Sequence, residues 1–150
     1  MDHGDGDELE TLFELRELSV DQLRKRLGFS RSAVMAGADY GPSDDLVLVY
    51  DEDVHPGLFF YDSDGRFLLV YAGTLDGMTP ADLVDRYGEP DARLRSRAGK
   101  HFGHRVFAGA GVAASWERGS DELAVVEVFR PMTVAEYKER IYEEPSRFTE

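Results

Sequence analysis

The sequence predicts an α+β fold: two tandem helix–three-strand repeats that form a curved antiparallel sheet with helices on one face, followed by a C-terminal helix. Three observations point to it. A helix-opening phrase, LSVDQLRKRLG from Leu18 to Gly28, is written again as MTPADLVDRYG from Met78 to Gly88. It begins a third time at Met132, as MTVAEYKERIYEEP. Between the phrases lie short aromatic and branched segments, separated by Gly, Asp and Ser, which read as strands joined by tight turns and hence as antiparallel neighbours.

The elements follow in order. Residues 1–8 are expected to form an acidic, solvated tail, since MDHGDGDELE holds five carboxylates and no apolar run. Leu9, Leu12, Phe13, Leu15 and Leu18 keep a helical stripe, so an extra helix is expected before Leu18. The first repeat is placed at about 18–73. Ser19 can cap the free N–H groups of a first turn, Asp21 favours the positive end of the helix dipole, and Gly28 sits where a helix would end. LVLVY (46–50), LFFY (58–61) and RFLLVYA (66–72) then read as strands, with DSDG (62–65) as a hairpin turn.

The second repeat is placed at about 78–130. Thr79 replaces Ser19 as the cap, Pro80 takes the first helical position where its missing N–H costs nothing, and Asp82 follows. Leu23 and Leu83, Arg26 and Arg86, and Gly28 and Gly88 share one offset of 60 residues. HRVFA (104–108), VAASWE (112–117) and ELAVVEVF (122–129) occupy the strand places of the second copy. A closing helix is expected at about 133–143, capped by Thr133, with Tyr137 at the position of Leu83 and no glycine to stop it.

The 150 residues suit a single domain, and 42% apolar content is enough for a core. There is no Cys, which excludes disulfides, thiolate metal sites and a cysteine nucleophile. Net charge is −13, from 30 acids against 17 bases, which disfavours nucleic acid and anionic membranes and favours a basic partner. The acidic start does not resemble a secretory signal, and no apolar run spans a bilayer, so a soluble cytoplasmic protein is expected.

The phrase ending Tyr-Gly-x-Pro, followed by GVAASWERGSDELAVVEVF, resembles the repeat of the β-lactamase-inhibitor-protein-like and BamE-like folds, over roughly Thr79 to Phe129, with a fainter copy from Ser19 to Tyr71. The resemblance implies a concave antiparallel sheet that grips another protein. This chain lacks the disulfides of the secreted inhibitor and the lipid-anchored Cys of the outer-membrane member, so the likeness concerns fold and not partner.

Two segments carry possible function. The strands of the first repeat are apolar on both faces, so some of Tyr50, Phe59, Phe60, Tyr61 and Tyr71 are expected to face away from the helices. With Trp116 they form a candidate partner-binding surface. The alternatives are that a homodimer, the EEPSRF segment or the helix before Leu18 covers them. The second segment runs from Ala92 to Trp116 without one acid. Arg93, Arg95, Arg97, Lys100, His104 and Arg105 make a candidate anion site, because alternating guanidiniums share one side of an extended chain and match carboxylates or phosphates. The same residues also suit a solvated edge strand. His101 and His104 have H-x-x-H spacing, but two imidazoles do not make a metal site and no metal is expected. DSDG lacks the later ligands of a calcium loop.

No G-x-S-x-G, P-loop, G-x-G-x-x-G or H-E-x-x-H occurs. With no catalytic residues and no cofactor in view, the expectation is a non-enzymatic protein-binding domain of inhibitor or immunity type. The alternatives are a small-ligand or anion-binding domain, with an enzyme among its forms, and a structural homodimer.

Overall fold

The computed structural model describes residues 7–30, 34–36, 46–72, 78–96 and 99–142. Helices α1 (Asp7–Leu15) and α2 (Val20–Leu27) precede strands β1 (Val34–Ala36), β2 (Val47–Asp51), β3 (His55–Tyr61) and β4 (Phe67–Ala72). Helix α3 (Pro80–Tyr87) opens the second unit, followed by β5 (Ala92–Arg95), β6 (Phe102–Phe107), β7 (Val112–Glu117) and β8 (Val125–Val128). Helix α4 (Val134–Arg140) closes it. The fold is α+β.

All strands belong to one antiparallel sheet, ordered β1-β2-β3-β4-β8-β7-β6-β5. Each unit is a four-strand meander that starts at an outer edge and ends at the centre. The units join through their last strands, with Val70 opposite Val128 and Tyr71 opposite Glu127. The order is therefore symmetric about the β4–β8 seam. Each unit carries a fourth strand beyond the three of the predicted repeat. β1 is three residues long, and β5, ARLR, is the edge strand that is the alternative reading of the arginine segment. α1 starts at Asp7, inside the expected acidic tail, whose first six residues lie outside the described ones.

The repeated phrase forms helices for local reasons. Ser19, Thr79 and Thr133 each accept from the backbone N–H of the third helical residue, and Gln22, Asp82 and Glu136 return the bond to the cap backbone. Such reciprocal caps satisfy two orphan donors at once. Gly28 and Gly88 end α2 and α3 with φ near 80° but differ in ψ, 26° against −158°.

The sheet has a core on each side. Leu9, Leu12 and Leu15 of α1, Leu23 of α2 and Leu83 of α3 pack with Phe59, Tyr61, Val70, Phe107, Ala114, Trp116 and Val128. On the opposite face, Tyr137 and Ile141 pack with Leu48, Phe60, Leu69, Val106, Ala113 and Phe129. α4 thus lies across the sheet from the other three helices. This explains why the strands are apolar on both faces: both faces are covered.

The aromatic expectation is corrected accordingly. Phe59, Phe60 and Tyr61 are completely buried and Trp116 nearly so, with Phe59, Tyr61 and Trp116 on the α1–α3 side and Phe60 on the α4 side. Only Tyr50 and Tyr71 remain half-buried, both on the α4 side. Val54 is the one large apolar residue that is exposed among the described residues.

Candidate functional site

The α4 side of the second unit holds a continuous chain of buried polar groups. Strand register sets it up. His104 of β6 lies opposite Leu94 of β5 and opposite Ser115 of β7, and Glu127 of β8 lies opposite Ala113 of β7. Because side chains alternate, His104, Ser115 and Glu127 share one face. Ser96 joins them just past the end of β5, and α4 lowers Tyr137 onto them. Ser96 Oγ donates to Ser115 Oγ at 2.7 Å, and Ser115 Oγ lies 2.8 Å from His104 Nδ1. His104 Nε2 lies 2.7 Å from the Tyr137 hydroxyl, which donates to Glu127 Oε1.

With a neutral imidazole, donor and acceptor counting assigns each proton. Tyr137 spends its proton on Glu127, so its oxygen accepts from Nε2–H of His104. Nδ1 is then the acceptor for the Ser115 proton. The chain runs Ser96, Ser115, His104, Tyr137, Glu127, with the Ser115 and Tyr137 hydroxyls each donating once and accepting once. Burial, and then the neighbouring Glu127 carboxylate, push the Tyr137 phenol far above its ordinary pKa, so it stays protonated and keeps donating. The rings of His104, Tyr137 and Tyr142 lie nearly parallel at 6.1–6.2 Å, and Tyr142 donates to the Arg95 carbonyl at 2.7 Å.

Chemically, this set contains the parts of a proton relay, a serine hydroxyl and an imidazole backed by a phenol and a carboxylate. Each part is turned toward another part. All four polar residues are at most 8% exposed, and Tyr137 is completely buried. The network fixes where α4 sits, because a buried polar group finds its partner in one register alone. The Ser115 hydroxyl is closed off with the rest, since the residue is 2% exposed.

The arginine segment is divided by the pleat. Ala92 and Leu94 pack toward the α4-side core, so Arg93 and Arg95 point to the α1–α3 side. Arg105, opposite Arg93 in the β5–β6 ladder, points the same way. His104 points the opposite way into the buried chain, so it is not part of that row. Lys100 and His101 are exposed in the turn before β6, and Arg97 lies outside the described residues. His101 and His104 do not converge, and among the described residues no cluster of three His, Cys, Asp or Glu could hold a metal. In DSDG, Asp62 accepts from the N–H groups of Asp64 and Arg66, so its carboxylate serves the turn.

In the first unit the α4-side face carries Tyr50, Leu58 and Tyr71, all half-buried and in contact with the core that includes Phe60. Phe60 and Tyr71 meet edge to face at 5.4 Å. The turn beside Tyr50 is acidic: Asp51, Glu52 and Asp53 follow it directly, and Asp51 accepts from the Asp53 N–H.

Sequence reasoning named His104 and missed Ser96, Ser115, Glu127 and Tyr137 as a set. The available signal was a Glu inside the apolar run AVVEVF and a Ser inside VAASWE. Comparison with known proteins adds nothing to these residues: no family model, no curated protein and no solved structure matches the chain. Among the described residues no helix is long and apolar enough to cross a membrane.

Proposed function

We propose that the chain is a non-enzymatic binding module of inhibitor or immunity type, which holds a basic protein partner against the α4-side face of its first unit. One observation carries this reading: the row Tyr50, Leu58, Tyr71 is left half-open beside the Asp51–Asp53 turn. Half-buried tyrosines supply contact area at low entropic cost, and clustered carboxylates with a net charge of −13 speed encounter with a cationic surface. A non-enzymatic role is supported by the buried polar chain, whose groups are spent on one another.

The test is titration of the full chain with a defined arginine-rich amphipathic peptide at low and high salt. Affinity is expected to fall with salt and to drop on the order of tenfold in Tyr50→Ala, Tyr71→Ala, as for loss of aromatic anchors. Salt-independent binding, or full affinity in the double variant, removes the reading. Sedimentation over a concentration series covers the remaining alternative. A dimer abolished by the same double substitution would assign this face to a second copy of the chain instead.

A further inference from the structure

Arg105 and Arg16 are built on one plan. Each guanidinium lies 4.2 Å over an aromatic ring, Arg16 on Phe13 and Arg105 on Trp116. Each spends Nη1 on two backbone carbonyls, Arg16 on Ala110 and Phe129, Arg105 on Gly103 and Trp116. Each needs a glycine to make room. A Cβ on Gly111 would stand 2.5 Å from Arg16 Nη1, and one on Gly103 would stand 2.9 Å from Arg105 Nη1. The plans part at the counter-charge. Arg16 has the Glu17 carboxylate at 3.7 Å. Arg105 has no carboxylate within 4 Å among the described residues, although acids outnumber bases 30 to 17 in the chain. What faces Arg105 is another cation, Arg93, directly across the ladder.

Like charges placed opposite each other on a sheet destabilise it. The arrangement also desolvates Arg105, and both that burial and Arg93 lower its pKa. Arg105 is held flat by the indole and the two carbonyls, and its Nε and Nη2 edge meets no partner among the described residues. Arg95 stands on the same row, since Arg95, Gly103 and Trp116 are successive partners across β5, β6 and β7. The guanidinium of Arg105 crosses Gly103 to reach Trp116 and so lies on that row. Glu89 pairs with Arg93 at 3.0 Å with both side chains exposed, a contact of the kind that an incoming anion exchanges readily.

We infer that Arg93, Arg95 and Arg105 form a binding site for a small phosphate-type dianion, on the α1–α3 side of the β5–β6 edge. Two opposed guanidiniums call for two negative charges, and the planar fork of arginine matches phosphate oxygens. A monocarboxylate would leave one of them unbalanced. The acidity of the rest of the chain disfavours a nucleic acid or an anionic membrane as the source of that phosphate. The site lies on the other sheet face and in the other unit from the Tyr50–Tyr71 row, so it stands independently of that reading.

The experiment is thermal unfolding and titration calorimetry of the full chain with inorganic phosphate, pyrophosphate and a phosphomonoester, against acetate and chloride at matched ionic strength. Phosphate compounds are expected to raise the unfolding temperature where acetate and chloride do not. Arg93→Gln is expected to unfold at a higher temperature than the parent without ligand, because repulsion is relieved, and to bind phosphate on the order of tenfold more weakly. Arg105→Lys, which keeps the charge and loses the fork, should show the same weakening. Tyr50→Ala, Tyr71→Ala should bind phosphate like the parent. Equal effects of phosphate and chloride, or parent-like phosphate affinity in both arginine variants, overturns the site.

Discussion

The two repeats share a topology and differ in what they place on the α4 side of the sheet. The first fills it with Leu48, Phe60, Leu69 and the half-open Tyr50, Leu58 and Tyr71. The second puts His104, Ser115 and Glu127 there and brings Tyr137 down to meet them. An apolar face is satisfied by any apolar cover, whereas a polar chain is satisfied by one. The comparison explains why the closing helix is bound through hydrogen bonds in the second unit, while the face of the first keeps a partly open margin.

The sharpest way to break this contrast is the hydroxyl of Tyr137. Tyr137→Phe leaves a buried imidazole N–H and a buried carboxylate without their partner, and should cost about 2 kcal/mol or more in denaturant unfolding. Tyr50→Phe, on the half-open side, should stay within about 0.5 kcal/mol. Equal losses would mean that the polar chain does not hold α4. The glycines that end the two helices give the next largest difference. Gly88 has φ 81° and ψ −158°, a region that only glycine occupies, and Gly28 has φ 79° and ψ 26°, which other residues visit at a cost. Neither would meet a steric clash on gaining a Cβ. Gly88→Ala is therefore expected to destabilise by about 1–3 kcal/mol and Gly28→Ala by about 1 kcal/mol.

A third substitution reverses sign. The Tyr61 hydroxyl, on the α1–α3 side, is buried without a hydrogen-bond partner among the described residues, and burial raises its pKa. Tyr61→Phe should raise stability by about 1 kcal/mol, opposite to Tyr137→Phe, because it removes a polar group with nothing to bond. A loss of stability would show that the hydroxyl is satisfied in solution. The smallest effect is a pH dependence in the first unit. His55 Nδ1 accepts from the Gly57 N–H at 2.9 Å, and burial lowers its pKa below the ordinary 6.5. The unfolded chain then binds the His55 proton more readily than the folded one, so stability falls as pH drops from about 7 through 6 and is unaffected by this group above. His55→Gln keeps an acceptor for Gly57 and should flatten the His55 part of that slope.

Local rules made the helices legible. Ser19, Thr79 and Thr133 cap as their sequence neighbours imply, and Gly28 and Gly88 end their helices at the shared offset. The central strands were legible from branched and aromatic runs. The edge strands were less so: three residues at Val34–Ala36 carry too little apolar signal, and ARLR was readable as an edge strand only as the alternative to an anion site. Whether Phe60 or Tyr61 is covered depends on which face α4 takes, and nothing within LFFY encodes that. The members of the polar chain stand far apart in sequence. Glu127 and Ser115 meet His104 only through sheet register, and Tyr137 only through tertiary packing. The arginine row was half legible: alternation put Arg93 and Arg95 on one side, but the same pleat turned His104 away and brought Arg105 in.

The seam between the units has a consequence for biogenesis. β4 ends at Ala72, and its partner β8 begins at Val125. During translation at about 5–20 residues per second, the apolar strand that ends the first half waits several seconds for the strand that will protect it. In that interval its backbone is an open template, able to pair with the same strand of another nascent chain. Strand β8 therefore does more than complete the sheet: it retires an aggregation hazard that the first half creates.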